Sequence, residues 1–279
     1  MRTGAKMTQQ QLDSKAFVSL SARLTAAMRS QETARCDRIF NDPFATQLAG
    51  TDAFAFLAQR KIQPEQDGRP YVVVRTRFFD DFLLAKQLPQ VVILASGMDT
   101  RAYRLPWLAN TKVYELDRLE VLHYKNAVLK DVKPNCERYA IAADLTQPWS
   151  HLLLDQGYRT DLPSVWLIEG LLMYLDLPQV HTLLTTVSQL AVAGSWLGLD
   201  VINTKAIQST TDSSFQGYWR SGFDNPEELL ANCGWKAKVI QPGDEGAHFG
   251  RYTRKLPPRD VPNVERVFLV TAQKFHQYS

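Results

Sequence analysis

Between Gln90 and Ile202 short apolar runs alternate with segments of helical periodicity, and no other feature restricts the fold as tightly. The runs are QVVILAS (90 to 96), KVYELD (112 to 117), RYAIAAD (138 to 144), PSVWLIEG (163 to 170) and SWLGLDVI (195 to 202). Between them lie TRAYRLPWLAN, RLEVLHYKNAVLK, PWSHLLLDQG and PQVHTLLTTVSQLAVAG, the last with Pro178 near its start and Gly194 at its end. Continuous apolar runs of this length read as strands covered on both faces. Strand and helix in alternation imply a parallel sheet with helices on both faces. The carboxyl ends of such strands share one edge, where α/β folds bind ligands.

The flanks add helices before the sheet and two strands after it. SLSARLTAAM (19 to 28) is helical in pattern, and FNDPFATQLAG reads as a turn into a short helix with Asp42 as cap and Pro43 at its first position. A polar loop, QRKIQPEQDGRP (59 to 70), precedes an amphipathic helix in YVVVRTRFFDDFLLAKQL. After Asn203 the rhythm breaks into TKAIQSTTDSSFQGYWRSGF, polar with scattered aromatics. A short helix in DNPEELLANCG follows, capped by Asp224 or Asn225. WKAKVIQP and ERVFLVTAQK are two further strands, joined by a long loop from Gly243 to Asn263 of the kind that is usually functional or disordered. The expectation is one domain: an N-terminal helical extension (1–88), a core (90–203), an insertion and loop (204–264) and a terminal strand with its tail (265–279).

Composition narrows the function. A net charge of +3 over 279 residues, with no stripe of Lys or Arg, argues against nucleic acid. Three distant cysteines suit a reducing compartment and exclude a disulfide scaffold or a CxxC zinc site. The N-terminal stretch lacks the apolar core of a signal peptide and no segment is apolar enough to span a bilayer, so a cytoplasmic protein is expected.

The turn after the first strand, ASGMDTRA, carries Gly97 alone, where a dinucleotide site would carry G-x-G-x-x-G. Asp99 beside a helix start would also repel a diphosphate. The turn therefore suits a ligand without phosphates, with one glycine making room for it. Asp117 ends the second strand twenty positions later (117 − 97), the station from which a carboxylate holds ribose hydroxyls. By itself it would more often be an ordinary acid at a strand end. Asp144 and Glu169 close the third and fourth strands at equivalent stations. Such a set suits an adenosine with a positively charged amino-acid tail: Asp117 for the ribose, Asp144 for the adenine amino group, Glu169 for the ammonium. That ligand is S-adenosylmethionine.

On these residues the chain resembles the leucine carboxyl methyltransferase family, within the class I S-adenosylmethionine-dependent methyltransferases. The matching pieces are TAAMRSQETARCDRIFNDPFA, VRTRFFDDFL, QVVILASGMDTRAYRL, VYELD, AADL, EGLLMYL, GSWLGLD and RVFLVTA, in order along most of the chain. One departure is Ala95-Ser96, where relatives commonly carry Gly-Ala; small residues should tolerate the change. The resemblance implies a Rossmann-like, seven-stranded, mostly parallel sheet with an antiparallel terminal strand. It also implies S-adenosylmethionine as cofactor, S-adenosylhomocysteine as product, and no metal.

Residue by residue, the resemblance places Arg75 on the methionine carboxylate, with Arg77 as fallback. Gly97, Asp117, Asp144 with Leu145, and Glu169 fall at the cofactor positions. Asp99 and Thr100 read as helix caps, and Arg101 and Arg104 as ion-pairing partners around them. Tyr174 falls where relatives place a substrate-contacting tyrosine, though a core tyrosine with its hydroxyl at the rim reads as well. Tyr218, Trp219, Arg251 and Tyr252 are candidates for the substrate wall, and His248 is the weak candidate for a general base. Arg251, Arg254 and Arg259 would receive an anionic substrate. The family methylates protein C-terminal carboxylates in eukaryotes and oxygens of small polyketide-like metabolites in bacteria. This compact chain fits the small-molecule branch, with a carboxylate or hydroxyl of a secondary metabolite as acceptor. The rivals are protein carboxyl methylation, a dehydrogenase on the same fold, and a non-catalytic nucleotide-binding protein.

Overall fold

The computed structural model of the chain describes residues 14–59, 70–208 and 217–275. The first 13 residues, most of the 59–70 loop and part of the 204–223 insertion lie outside them. Its centre is one seven-stranded sheet: β1 (Gln90–Leu94), β2 (Lys112–Asp117), β3 (Glu137–Ala142), β4 (Ser164–Ile168), β5 (Trp196–Ile202), β6 (Trp235–Ile240) and β7 (Val267–Lys274). The order is β3-β2-β1-β4-β5-β7-β6. β1 to β5 pair in parallel, and β7 runs antiparallel to both β5 and β6.

Strand β1 shows why these runs need covering on both sides. Val92 and Leu94 enter one apolar cluster and Val91 and Ile93 the other, all buried. The first cluster packs the sheet against α6 (Ser150–Asp155), α7 (Leu177–Leu190) and α9 (Pro226–Ala231). The second packs it against α1 (Ser14–Thr33), α2 (Ala45–Gln59), α3 (Tyr71–Lys86), α4 (Arg101–Arg104) and α5 (Leu119–Val128). A five-residue helix, α8 (Thr204–Gln208), follows β5. Among the described residues no helix is long and apolar enough to cross a membrane.

Several elements differ from the pattern for local reasons. The helix expected over TRAYRLPWLAN stops at Arg104, because Leu105 before Pro106 is held extended (ψ 146°). α2 runs on to Gln59 across a kink at Gly50 (φ 65°, ψ 168°). Asp42 caps the turn that leads into α2, accepting from the Phe44 amide at 3.3 Å, and it ion-pairs with Arg29 at 2.8 Å. α7 begins with a reciprocal capping box of Asp176 and Gln179 and ends four residues before Gly194 (194 − 190). Asn225, not Asp224, caps α9 by accepting from the Glu228 amide.

Candidate functional site

The carboxyl ends of β1 to β4, roofed by α1, enclose a cavity of about 380 Å³, within the range of small-molecule sites. Arg75, Gly97, Asp117, Asp144, Leu145, Glu169, Tyr174 and Tyr218 all line it. Thus β1 to β4 bring together groups that lie far apart in sequence.

The Gly97 turn is strained, and the strain has a purpose. Gly97 has φ 46°, and a Cβ built there would sit 3.1 Å from the Cβ of Ala22 in α1. The glycine therefore makes room for the roof helix. Ala95 also adopts a left-handed φ, 52°. Small size alone therefore does not make Ala95 equivalent to glycine: the backbone there favours a residue without Cβ. Arg29 anchors α1 to the same turn, donating to the Met98 carbonyl at 2.5 Å.

Asp117 faces this turn. Its Oδ2 accepts from the Gly97 amide at 2.6 Å and its Oδ1 from the Arg118 amide at 2.7 Å. Burial pushes its carboxyl up, against the opposing pull of those two amides. Each oxygen keeps a lone pair beyond these bonds. At the next strand end Asp144 accepts from the amide and hydroxyl of Thr146 and is exposed.

Below β4 the charges are paired with one another. The Arg75 Nε lies 2.9 Å from Glu169, and its Nη1 donates to Asp200 at 3.0 Å. Asp200 also accepts from the Tyr71 hydroxyl at 2.7 Å and the Gly170 amide at 2.6 Å. Arg101 contacts Glu169 at 2.8 Å, Asp80 at 2.7 Å and Asp99, while Arg104 pairs with Asp80 at 2.6 Å. Burial would raise the Asp99 carboxyl, but Arg101 and its neighbours hold it down to about 2. Arg75 and Arg101 are likewise raised, because their carboxylates outweigh the cost of burial.

This network changes two expectations. Asp99 does accept from the Arg101 amide at the start of α4, at 2.7 Å, but Thr100 makes no side-chain cap and instead accepts from Arg104. Glu169 lies between two guanidinium groups, so much of its charge is already balanced. Asp200 was missed from the sequence, yet a lone acid inside the apolar run GLDVI signals a buried partner. Arg77 stays outside the cavity lining, on Asp81 and the Ile39 carbonyl.

The late loop does not reach the cavity. Neither Arg251, His248, Trp219 nor Tyr252 is among its lining residues. Arg251 is held by Glu32 through a forked contact at 3.1–3.2 Å and by Asp37, which fixes the loop to the end of α1. His248 accepts from the Gly250 amide within its own turn, and Arg259 pairs with Glu227. The structure thus places Arg251 and His248, expected at the substrate wall and as a base, outside the cavity lining, with their side chains bonded within the loop and to α1. Ser21, Ala22, Thr25 and Arg29 of α1 line the cavity instead. Tyr174 does line it, bonded to Ser21 at 3.2 Å, and burial raises its phenol.

The cavity fits S-adenosylmethionine in kind. A buried carboxylate with spare acceptor capacity stands at β2. The buried Ser96 hydroxyl beside the turn has no partner among the described residues. Arg75 lines the cavity, and its carboxylate partners are met by Nε and Nη1. Among the described residues no cluster of His, Cys, Asp and Glu is placed to hold a metal ion.

The parallel sheet with its single antiparallel strand and its row of strand-end groups is that of the Rossmann-like methyltransferases. A DUF574 family protein from Streptomyces avermitilis shares the fold with a TM-score of 0.55 at 12% identity, over 91% of this chain and 97% of that one. A "putative methyltransferase" from Thermobifida fusca gives a TM-score of 0.54 at 14% identity, over 91% and 94%. In sequence, residues 22–188 match the leucine carboxyl methyltransferase family model, and the chain belongs to that family. A relative from Parafrankia sp. (strain EAN1pec), bearing the name "Putative S-adenosyl-L-methionine-dependent methyltransferase", is 35% identical over 93% of this chain and 88% of its own. One from Mycolicibacterium gilvum, similarly named, is 39% identical over 68% and 69%. The chain is an S-adenosylmethionine-dependent methyltransferase.

Proposed function

We propose that the chain transfers a methyl group to an oxygen, carboxylate or hydroxyl, of a small molecule. The observation that carries this reading is the roofed cavity into which four strand ends and α1 all converge. Its volume suits a small ligand, and its roof is a helix. S-adenosylmethionine supplies a methyl group already activated on a sulfonium. The protein's work is then to align the acceptor and keep water out.

Asp117 would receive the ribose hydroxyls, with its carboxylate oriented by the Gly97 and Arg118 amides. Arg75, held by Asp200, would offer its Nη2 to the cofactor's carboxylate. Asp144 and Leu145 would border the adenine. Tyr174, kept protonated by burial, can donate to an acceptor oxygen. Among the described residues no histidine lines the cavity. A carboxylate acceptor needs no base, whereas a hydroxyl must lose its proton to one of the acids present.

Incubation with S-adenosylmethionine and a panel of small carboxylic acids and phenols, followed by mass spectrometry, tests the reading. A methyl ester or ether together with S-adenosylhomocysteine is expected. Turnover confined to a peptide through its C-terminal carboxylate would replace this reading with protein methylation.

A further inference from the structure

The arginines around the cavity are unequal. Arg29 is paired with Asp42, Arg75 with Glu169 and Asp200, Arg101 with Asp80, Asp99 and Glu169, and Arg104 with Asp80. Arg118 stands near Glu120 at 3.7 Å. Arg220 also lines the cavity, is exposed, and has no carboxylate partner among the described residues.

Its position is fixed by its backbone. The Arg220 amide donates to the Met173 carbonyl at 2.7 Å, and the Ser221 hydroxyl donates to the Leu172 carbonyl at 2.8 Å. Two residues on, a Cβ at Gly222 would meet the Asn203 carbonyl oxygen at 2.7 Å, so this strip lies directly on the end of β5. Arg220 is thereby presented beside the Leu172–Tyr174 turn that carries Tyr174.

The cavity is consequently polarised along the sheet edge. Asp117 and Asp144 stand at β2 and β3, and Arg220 stands past β4, on the side of β5. Neighbouring strands are about 4.8 Å apart, so β2 and β4, two strands apart, place these ends roughly 10 Å from one another. The acid end suits the ribose and adenine. The opposite end, with Tyr174, Tyr218 and Arg220, is left for the acceptor.

Resting on the proposed function above, we infer that Arg220 is the specificity-determining residue of the acceptor site and selects an acceptor that carries a negative charge. A guanidinium on a fixed strip binds a planar anion through two parallel N–H bonds. With the other lining arginines held by carboxylates, Arg220 is the cation that the described residues offer the anion at this end. Neutral analogues of the same shape leave that cation without a partner and bind more weakly. The role moves the anion-receiving function from Arg251, which Glu32 holds, to a residue beside the Leu172–Tyr174 turn.

The test uses the full chain saturated with S-adenosylhomocysteine and titrated with benzoate and octanoate, beside the neutral benzamide and octanamide. Binding of S-adenosylhomocysteine is measured first in every variant. The wild type is expected to bind at least one carboxylate at least about tenfold more tightly than its amide. Arg220→Ala and Arg220→Glu are expected to abolish that preference and Arg220→Lys to keep part of it, all with unchanged S-adenosylhomocysteine affinity. Equal binding of acid and amide by the wild type, binding of neither, or a preference that survives Arg220→Ala overturns the inference while leaving the cofactor reading intact. A loss of S-adenosylhomocysteine affinity in Arg220→Ala overturns it too, by placing Arg220 on the cofactor. Failure of the folded wild type to bind S-adenosylhomocysteine is instead the failure of the proposed function.

Discussion

The two ends of the cavity treat their acids in opposite ways. Around the end of β4, Glu169, with Asp200 of β5, Asp80 of α3 and Asp99 of the turn after β1, is balanced by Arg75, Arg101 and Arg104 in a network that is almost wholly buried. At β2, Asp117 is buried to a similar degree yet is oriented by two backbone amides. The first arrangement stabilises the protein and presents a preformed wall. The second leaves a carboxylate whose burial is unfavourable until a ligand supplies hydrogen bonds. Equivalent stations along a sheet edge therefore do different work, and the charge partner decides which.

The largest effect is expected from breaking the paired end. Asp200→Ala leaves Arg75 partly unbalanced and strands the Tyr71 hydroxyl and the Gly170 amide. A loss of about 3–5 kcal/mol in urea unfolding is expected, and stability within 1 kcal/mol of wild type would contradict the network's role. Next comes the strap between the late loop and α1. Arg251→Ala should cost about 1–3 kcal/mol by freeing buried Glu32, with S-adenosylmethionine affinity retained in calorimetry. Lost acceptor turnover at unchanged stability would instead return Arg251 to the substrate wall.

The unpaired end should respond in the other direction. Burial raises the folded-state carboxyl of Asp117 above its unfolded value, so its contribution to stability is fully present at low pH and is lost as pH rises through the raised value. Asp117→Asn removes that loss, so the free protein is expected to be as stable as wild type or more stable at neutral pH. In the wild type, cofactor affinity should weaken as acid protonates Asp117, beginning at a higher pH than an ordinary aspartate would set. Calorimetry across pH checks this, and a flat profile would remove Asp117 from the site. The smallest effect is at the turn: Ala95→Gly relieves a left-handed alanine and should add up to about 1 kcal/mol. A thermal melt at or below wild type would show that the strain is already compensated.

Strands β1, β2, β4 and β5 were legible because their residues are buried on both faces. KVYELD ends where β2 ends, and the strand-end stations of Gly97, Asp117, Asp144 and Glu169 follow from that. What escaped depends on contacts across the chain. Nothing local in SLSARLTAAM shows that Ser21 and Ala22 face the cavity, because their direction is set by the packing of α1 on α2 and α3. Nor does the Gly- and Arg-rich composition of the late loop show that Arg251 turns to Glu32, 219 positions away (251 − 32). Asp200 and Glu115 did leave a signal. Each is an acid within a buried strand, and each has a cationic partner, Arg75 for the first and Lys125 at 2.9 Å for the second.

Whether S-adenosylmethionine sits across the Gly97 turn with its ribose on Asp117 is tested most directly by isothermal titration calorimetry. The wild type and Asp117→Ala would be titrated with S-adenosylmethionine and S-adenosylhomocysteine, with NADH as control. Binding of about −8 kcal/mol, in the micromolar range, is expected for the wild type, with a loss of about a hundredfold in the variant and none detected with NADH. Absence of binding to correctly folded wild type, or equal affinity in Asp117→Ala, would contradict the account.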